Sequence, residues 1–168
     1  MIFRISAAII FTVAGGLIGC SLAEKLNEKR RICAEIEHLF QRIKILLNRK
    51  SEDVFAICRE LKSDSSLKSL KFIRYLPEKF SAGENFRREW HKSLEKDDCT
   101  GQEERELLSR LGEILGSSDS ASQIEAVSGL QAELKKIDDI HRENLIKKGR
   151  LYRAAGLLFG IMAGILIL

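Results

Sequence analysis

Leu111-Gly112-Glu113-Ile114-Leu115-Gly116-Ser117-Ser118-Asp119-Ser120-Ala121-Ser122-Gln123 holds the end of one helix and the start of the next. Leu107, Leu108, Leu111, Ile114 and Leu115 recur at the three- and four-residue steps of a helix with one apolar face. Gly116 is placed to end that helix, because glycine enters the left-handed region without a Cβ penalty. Two residues can cap the next one: Asp119, or Ser120 with Gln123 three positions on in capping-box spacing.

Outward from this point the same punctuation repeats. Downstream, Val127, Leu130, Leu134 and Ile137 form a stripe continued by His141, Asn144 and Leu151, with only Gly149 as a weak interruption before the apolar C-terminal run. Upstream, Thr100-Gly101-Gln102-Glu103 has capping-box spacing, and so does Ser81-Ala82-Gly83-Glu84, which opens a helix carrying Phe86, Trp90 and Leu94. A short helix over Leu67, Leu70 and Ile73 stops before Pro77, and the Ser63-Asp64-Ser65-Ser66 cluster before it is a turn. Ser51 caps a further helix with Glu52 and Asp53 in its first turn and Val54, Cys58 and Leu61 on one face. From Glu24 to Leu47 the residues Ile32, Ile36, Leu39, Ile43 and Leu46 step by four, three, four and three, one stripe of a long amphipathic helix. With one proline and 7% aromatic residues, these patterns predict an all-α chain, an antiparallel bundle of about six helices in which the first and last long helices pair.

Both ends of the chain are apolar. Ile5 to Leu22 contains no charged residue and spans about 27 Å as a helix, close to the ~30 Å hydrocarbon core of a bilayer. Residues 154–168 are likewise uncharged, and Lys147, Lys148, Arg150 and Arg153 precede them, with Tyr152 as an interfacial partner. Lys25, Lys29, Arg30 and Arg31 follow the first run. Basic flanks on the body side of both runs predict a cytoplasmic body with both termini across the membrane. The expected organisation is a transmembrane helix at 1–23, a cytoplasmic helical bundle at 24–150 and a transmembrane helix at 151–168. Lys148, Arg150, Tyr152 and Arg153 are the membrane-interface anchors. One alternative rests on Leu17-Ile18-Gly19-Cys20, which matches a lipid-attachment consensus and would make an outward-facing lipoprotein or envelope adaptor.

Composition argues against several function classes. Of 28 basic residues only Arg4 and Arg153 lie outside the body, so 26 basic residues there face all 24 acidic ones, a near-balance that gives a nucleic-acid reading little support. Cys20, Cys33, Cys58 and Cys99 have no metal-ligand spacing and read as small hydrophobes of a reducing compartment. His38, His91 and His141 lie far apart, none with a second ligand one turn away; His141, on an apolar seam, is the one that suits a pH-sensitive role. Asp97, Asp98, Glu103, Glu104 and Glu106 form an acidic patch that suits helix starts. No phosphate loop, nucleophile elbow or zinc motif is present in the sequence, and the expectation is a non-enzymatic protein without metal or cofactor.

Leu111-Gly112-x-x-Leu115-Gly116-x-Ser118-Asp119-x-x-x-Gln123, the charged helix after it, the entry Leu151-Tyr152-Arg153 and the glycine-spaced apolar terminus resemble stage III sporulation protein AB. Trp90 and the N-terminal run fit the same family, so the likeness spans nearly the whole chain, although residues 48–85 match only in pattern. The chain departs from the family at Leu46-Leu47-Asn48-Arg49-Lys50, where a tyrosine and a Pro-Leu step are common, and at Cys20. The resemblance implies a component of the mother-cell machine that connects to the forespore, located in the outer forespore membrane. It further implies a likeness to the platform protein of type II secretion and type IV pilus systems. The partners it implies are the lipid bilayer, the ATPase stage III sporulation protein AA and other membrane proteins of the complex, with homo-oligomerisation left open. Trp90, Leu115, Gly116, Ser118, Asp119 and Gln123 are the candidate structural and partner-contact residues.

Overall fold

A computed structural model describes residues 2–49, 53–79 and 85–167, and in the two terminal helices only part of the side chains. The elements are α1 (Ile2–Asn48), α2 (Val54–Ser63), two 3-10 turns (Ser65–Leu67 and Lys71–Tyr75), α3 (Phe86–Glu95), α4 (Gln102–Ile114) and α5 (Ser120–Ile167). Among the described residues there is no strand, and the chain is all-α. It divides into two compact units, one of residues 31–138 and one of residues 1–30 with 139–168.

The core of the 31–138 unit follows from the α1 stripe, which is wider than its heptad-like seam. Ile32, Ile36, Leu39, Ile43 and Leu46 are buried as the seam, and Cys33, Phe40 and Leu47 form a second buried row seven residues apart. Ile57, Cys58 and Leu61 of α2, Trp90 and Leu94 of α3, and Leu107, Leu108 and Leu111 of α4 complete most of the cluster. Val127, Leu130 and Leu134 supply the α5 face. Lys44 Nζ donates to Gln131 Oε1 at 3.1 Å, and one groove is lined by Ile45 and Asn48 together with Ile124, so α1 and α5 run antiparallel in this unit.

The expected helix over Leu67 to Ile73 is the main departure, and among the described residues it leaves five α-helices rather than about six. The reason lies in acceptors from elsewhere. Asp64 Oδ1 takes the N–H of Ser66 at 2.9 Å, Glu35 of α1 that of Ser69 at 2.8 Å, and Asp97 that of Phe72 at 3.2 Å. Amides captured by side chains are not free to join a continuous helical ladder, and the segment breaks into two short turns. Leu67, Leu70, Phe72, Ile73 and Leu76 are nonetheless buried.

Three helix starts also shift. The Thr100 capping box is replaced by Gly101 as the N-cap of α4, with Glu103 and Glu104 in the first turn. Thr100 is drawn out of the cap because the Asp97 carboxylate accepts its N–H at 3.3 Å and that of Cys99 at 2.8 Å. Asp53 stands at the N-cap of α2 rather than in its first turn, and Ser51 and Glu52 lie outside the described residues. Ser81 to Glu84 lie outside them as well; α3 starts from Asn85, whose Oδ1 accepts the N–H of Arg87 at 3.0 Å.

Among the described residues no helix is long and apolar enough to cross a membrane. Most side chains of residues 2–23 and 149–167 fall outside that description, so the two apolar runs stand on their sequence. Backbone helix covers both, in α1 and α5.

Candidate functional site

The junction between α4 and α5 is built by one glycine and one glutamine. Leu115 is buried, and its N–H still bonds Leu111 O at 3.1 Å, after which Gly116 turns the chain at φ 74°. A Cβ at Gly116 would stand 3.0 Å from Val54 Cγ2, so the left-handed turn is also packed against α2. Gln123, one turn into α5 and buried, reaches back: its Oε1 accepts the Gly116 N–H at 3.1 Å and its Nε2 donates to Ser118 O at 2.6 Å. One amide thus holds both sides of the turn, satisfying a donor and an acceptor that lie outside both helical ladders.

Of the two candidate caps, Asp119 holds the position. Its Oδ2 accepts the Ser122 N–H at 3.1 Å and its Oδ1 the Ser122 hydroxyl at 2.7 Å, and its carbonyl receives the first helical bond, from Gln123 N at 3.1 Å. The Ser122 hydroxyl and backbone N–H hold the Asp119 carboxyl below the usual carboxylate range. Ser118 and Asp119 are exposed, and the Ser118 carbonyl is taken by Gln123.

Gly112 answers to Trp90. A Cβ on Gly112 would lie 2.3 Å from Trp90 Cδ1, so the indole sits directly on the α4 backbone. Trp90 is fully buried, donates Nε1–H to Leu108 O at 2.8 Å and meets Phe72 edge-on at 5.5 Å. It acts from inside the core rather than as an exposed contact. Leu111-Gly112-x-x-Leu115-Gly116 is therefore a packing motif: two leucines into the core, one glycine under a ring and one at a left-handed turn. The stage III sporulation protein AB family model matches residues 4–168.

The chain belongs to that family. Its role accordingly lies in sporulation. No curated protein and no solved structure matches the chain.

Around the junction, Arg110 of α4 and Glu133 of α5 form a two-point pair at 2.6 and 2.9 Å. Its partners are about half exposed, so solvent and salt screen the pair. Asp97, taken from sequence as part of an acidic helix-start patch, is instead a buried acceptor of three backbone N–H groups, those of Phe72, Cys99 and Thr100. Arg105 donates to its carbonyl. The signal was present in the Asp97–Cys99 spacing, since aspartate commonly bonds the amide two residues on. Asp97, Asp98 and Cys99 come close enough together to hold a cation, yet Asp97 is saturated by amides and Asp98 pairs with Lys71 at 2.7 Å. Glu104 is buried with an oxygen 3.7 Å from Cys33 Sγ.

Of the residues assigned to the membrane interface, Lys148 is exposed, and the side chains of Arg150, Tyr152 and Arg153 lie outside the described ones, as does that of Cys20. The structure brings Leu115, Gly116, Ser118, Asp119 and Gln123 into one turn, with Trp90 beneath the neighbouring α4 turn at Gly112.

Proposed function

We propose that the chain is a non-enzymatic membrane platform or coupling component of a sporulation-specific, secretion-like complex joining mother cell and forespore. In this reading both apolar runs span the outer forespore membrane, the body faces the cytoplasm with both termini on the opposite side, and the body docks the motor ATPase stage III sporulation protein AA. The observation that carries the reading is the clustering of residues 1–30 and 139–168, which hold both apolar runs, into one compact unit. Two uncharged runs of 18 and 15 residues, each with basic residues on its body side, have the polarity of paired anchors; the second, about 22 Å as a helix, is short and spans with Arg153 snorkelling and Tyr152 at the interface. The exposed surface at Ser118 and Asp119, on a turn held rigid by Gln123, is the proposed contact surface.

The test is co-purification of the full-length protein, reconstituted in vesicles, with the purified ATPase in nucleotide-free, ATP- and ADP-bound states. Association in any state that weakens at unchanged Tm when Ser118 is replaced by a bulky residue supports the docking surface. Absence of association in every state refutes docking. Labelling of a Ser128→Cys variant by an impermeant thiol reagent, added to the outside of sporulating cells, refutes a cytoplasmic body. Fatty-acid labelling lost on Cys20→Ser would favour the lipoprotein reading in its place.

A further inference from the structure

In the compact unit of residues 1–30 and 139–168, five large apolar side chains of the two terminal runs and their entry are exposed. Val13 and Leu17 of α1, and Leu151, Leu158 and Met162 of α5, are 56–66% exposed although all are large and apolar. At about 3.6 residues per turn, Leu151, Leu158 and Met162 share one side of α5, together with exposed Ala154. Val13 and Leu17 share one side of α1 with exposed Ser21. Helical register puts Gly156, Gly160 and Gly164, spaced by four, roughly half a turn away from the exposed α5 face. It puts Ala8, Thr12, Gly15 and Gly19, spaced by four, three and four, in the corresponding place on α1.

We infer that the two apolar runs pack on each other through these small-residue stripes and turn the Val13–Leu17 and Leu151–Leu158–Met162 faces to lipid acyl chains. The inference rests on the membrane reading given above. Small residues let helix backbones approach closely in a bilayer, where dispersion and not hydrophobic burial drives association. Residues 1–30 and 139–168 form one unit, so each stripe lies in the same compact unit as the other, which supplies a pairing partner within the chain. Apart from Ala14, Ser21 and Ala154, the described residues of the exposed faces are large branched or long apolar side chains and none is glycine, and this favours acyl chains over another copy.

The experiment is spin-label accessibility in the full-length protein in phosphatidylethanolamine–phosphatidylglycerol vesicles. Cys20 is replaced by Ala and Cys99 by Ser, the buried Cys33 and Cys58 are kept, and a nitroxide is placed in turn at Leu17, Leu158 and Met162. High collision with oxygen and low collision with a water-soluble nickel chelate is the expected result. Low collision with both means a protein-covered face, which overturns the lipid assignment and leaves the membrane reading standing. High collision with nickel means water, and then the membrane reading fails together with the inference. For the stripes, the distance between labels at Leu17 and Leu158 is measured in parent, Gly160→Leu and Gly164→Ala proteins. Gly160→Leu is expected to lengthen it and Gly164→Ala to shift it less. An unchanged distance in Gly160→Leu refutes pairing through the glycines.

Discussion

Replacing Gly112 by alanine places one methyl group against the only tryptophan of the chain. The added carbon would meet Trp90 Cδ1 at 2.3 Å, Cγ at 2.6 Å and Nε1 at 2.7 Å, whereas carbon contacts settle near ~3.5–4.0 Å. The indole must therefore move by about 1 Å or more, and it has nowhere to go, being fully buried between Phe72 at 5.5 Å and Phe86 at 5.8 Å. Overpacking of this kind costs about 1–3 kcal/mol. Weakening the Trp90–Leu108 hydrogen bond adds about 1 kcal/mol, and the better helix propensity of alanine returns about 1 kcal/mol. The net expectation is a loss of about 2 kcal/mol, or a fall in Tm of roughly 4–8 °C for a chain of this size. Thermal unfolding of the full-length protein in detergent, followed by Trp90 emission and far-ultraviolet circular dichroism, measures it. Gly129→Ala provides the control of opposite sign, since a Cβ there meets nothing within 4 Å and the helix should gain up to about 1 kcal/mol. A Gly112→Ala protein as stable as the parent, with unshifted Trp90 emission, would refute the close ring-on-backbone contact.

Gly116→Ala forces an L-residue to φ 74° beside Val54 and should cost about 1–2 kcal/mol in chemical denaturation, with Gly116→Asn milder because asparagine tolerates this region. Gln123→Leu removes both bonds across the turn and leaves the Gly116 N–H and Ser118 carbonyl without it, for an expected loss of about 1–3 kcal/mol by the same measurement. The Asp119 carboxyl, held low in the folded state by Ser122, contributes stability that is present above its unfolded pKa of about 3.9 and is lost as pH falls through the folded value. Asp119→Asn should flatten that part of the Tm profile below about pH 4, and an unaltered profile would remove Asp119 from the account. Burial pushes the Cys58 thiol up to about 12, so alkylation at pH 8 should modify it only when denaturant is added, as mass mapping can show.

Helices were legible where their periodicity was local, and illegible where distant side chains intervened. The α1 seam, the α3 face of Phe86, Trp90 and Leu94, and the α4 leucines all follow from spacing, because a helix brings residues three and four apart onto one side whatever surrounds it. The stop at Gly116 was equally local. The 3-10 turns at Ser65–Leu67 and Lys71–Tyr75 were not, since Glu35 lies 34 residues before Ser69 and Asp97 lies 25 after Phe72. No window along the chain contains both partners. The same distance hid the purpose of Gly112, whose partner ring stands 22 positions away, whereas the second α1 row at Cys33, Phe40 and Leu47 is a local seven-residue pattern beside the seam.

These distances bear on how a contact surface can be separated from the scaffold that presents it. Gly112, Leu115, Gly116 and Gln123, four of the residues on which the family likeness rests, each have a duty fully accounted for inside the protein: ring clearance, core packing, a left-handed turn and an amide clamp. Substituting them should lower stability first and partner binding second. Ser118 differs, because its side chain is exposed and only its backbone carbonyl is committed to the turn. A Ser118→Lys variant should therefore unfold at the parent temperature whatever it does to association. Loss of ATPase association at unchanged Tm would mark the turn as a docking surface. Loss of both together would show that the substitution breaks the Gln123 clamp, and would return the turn to a purely structural role.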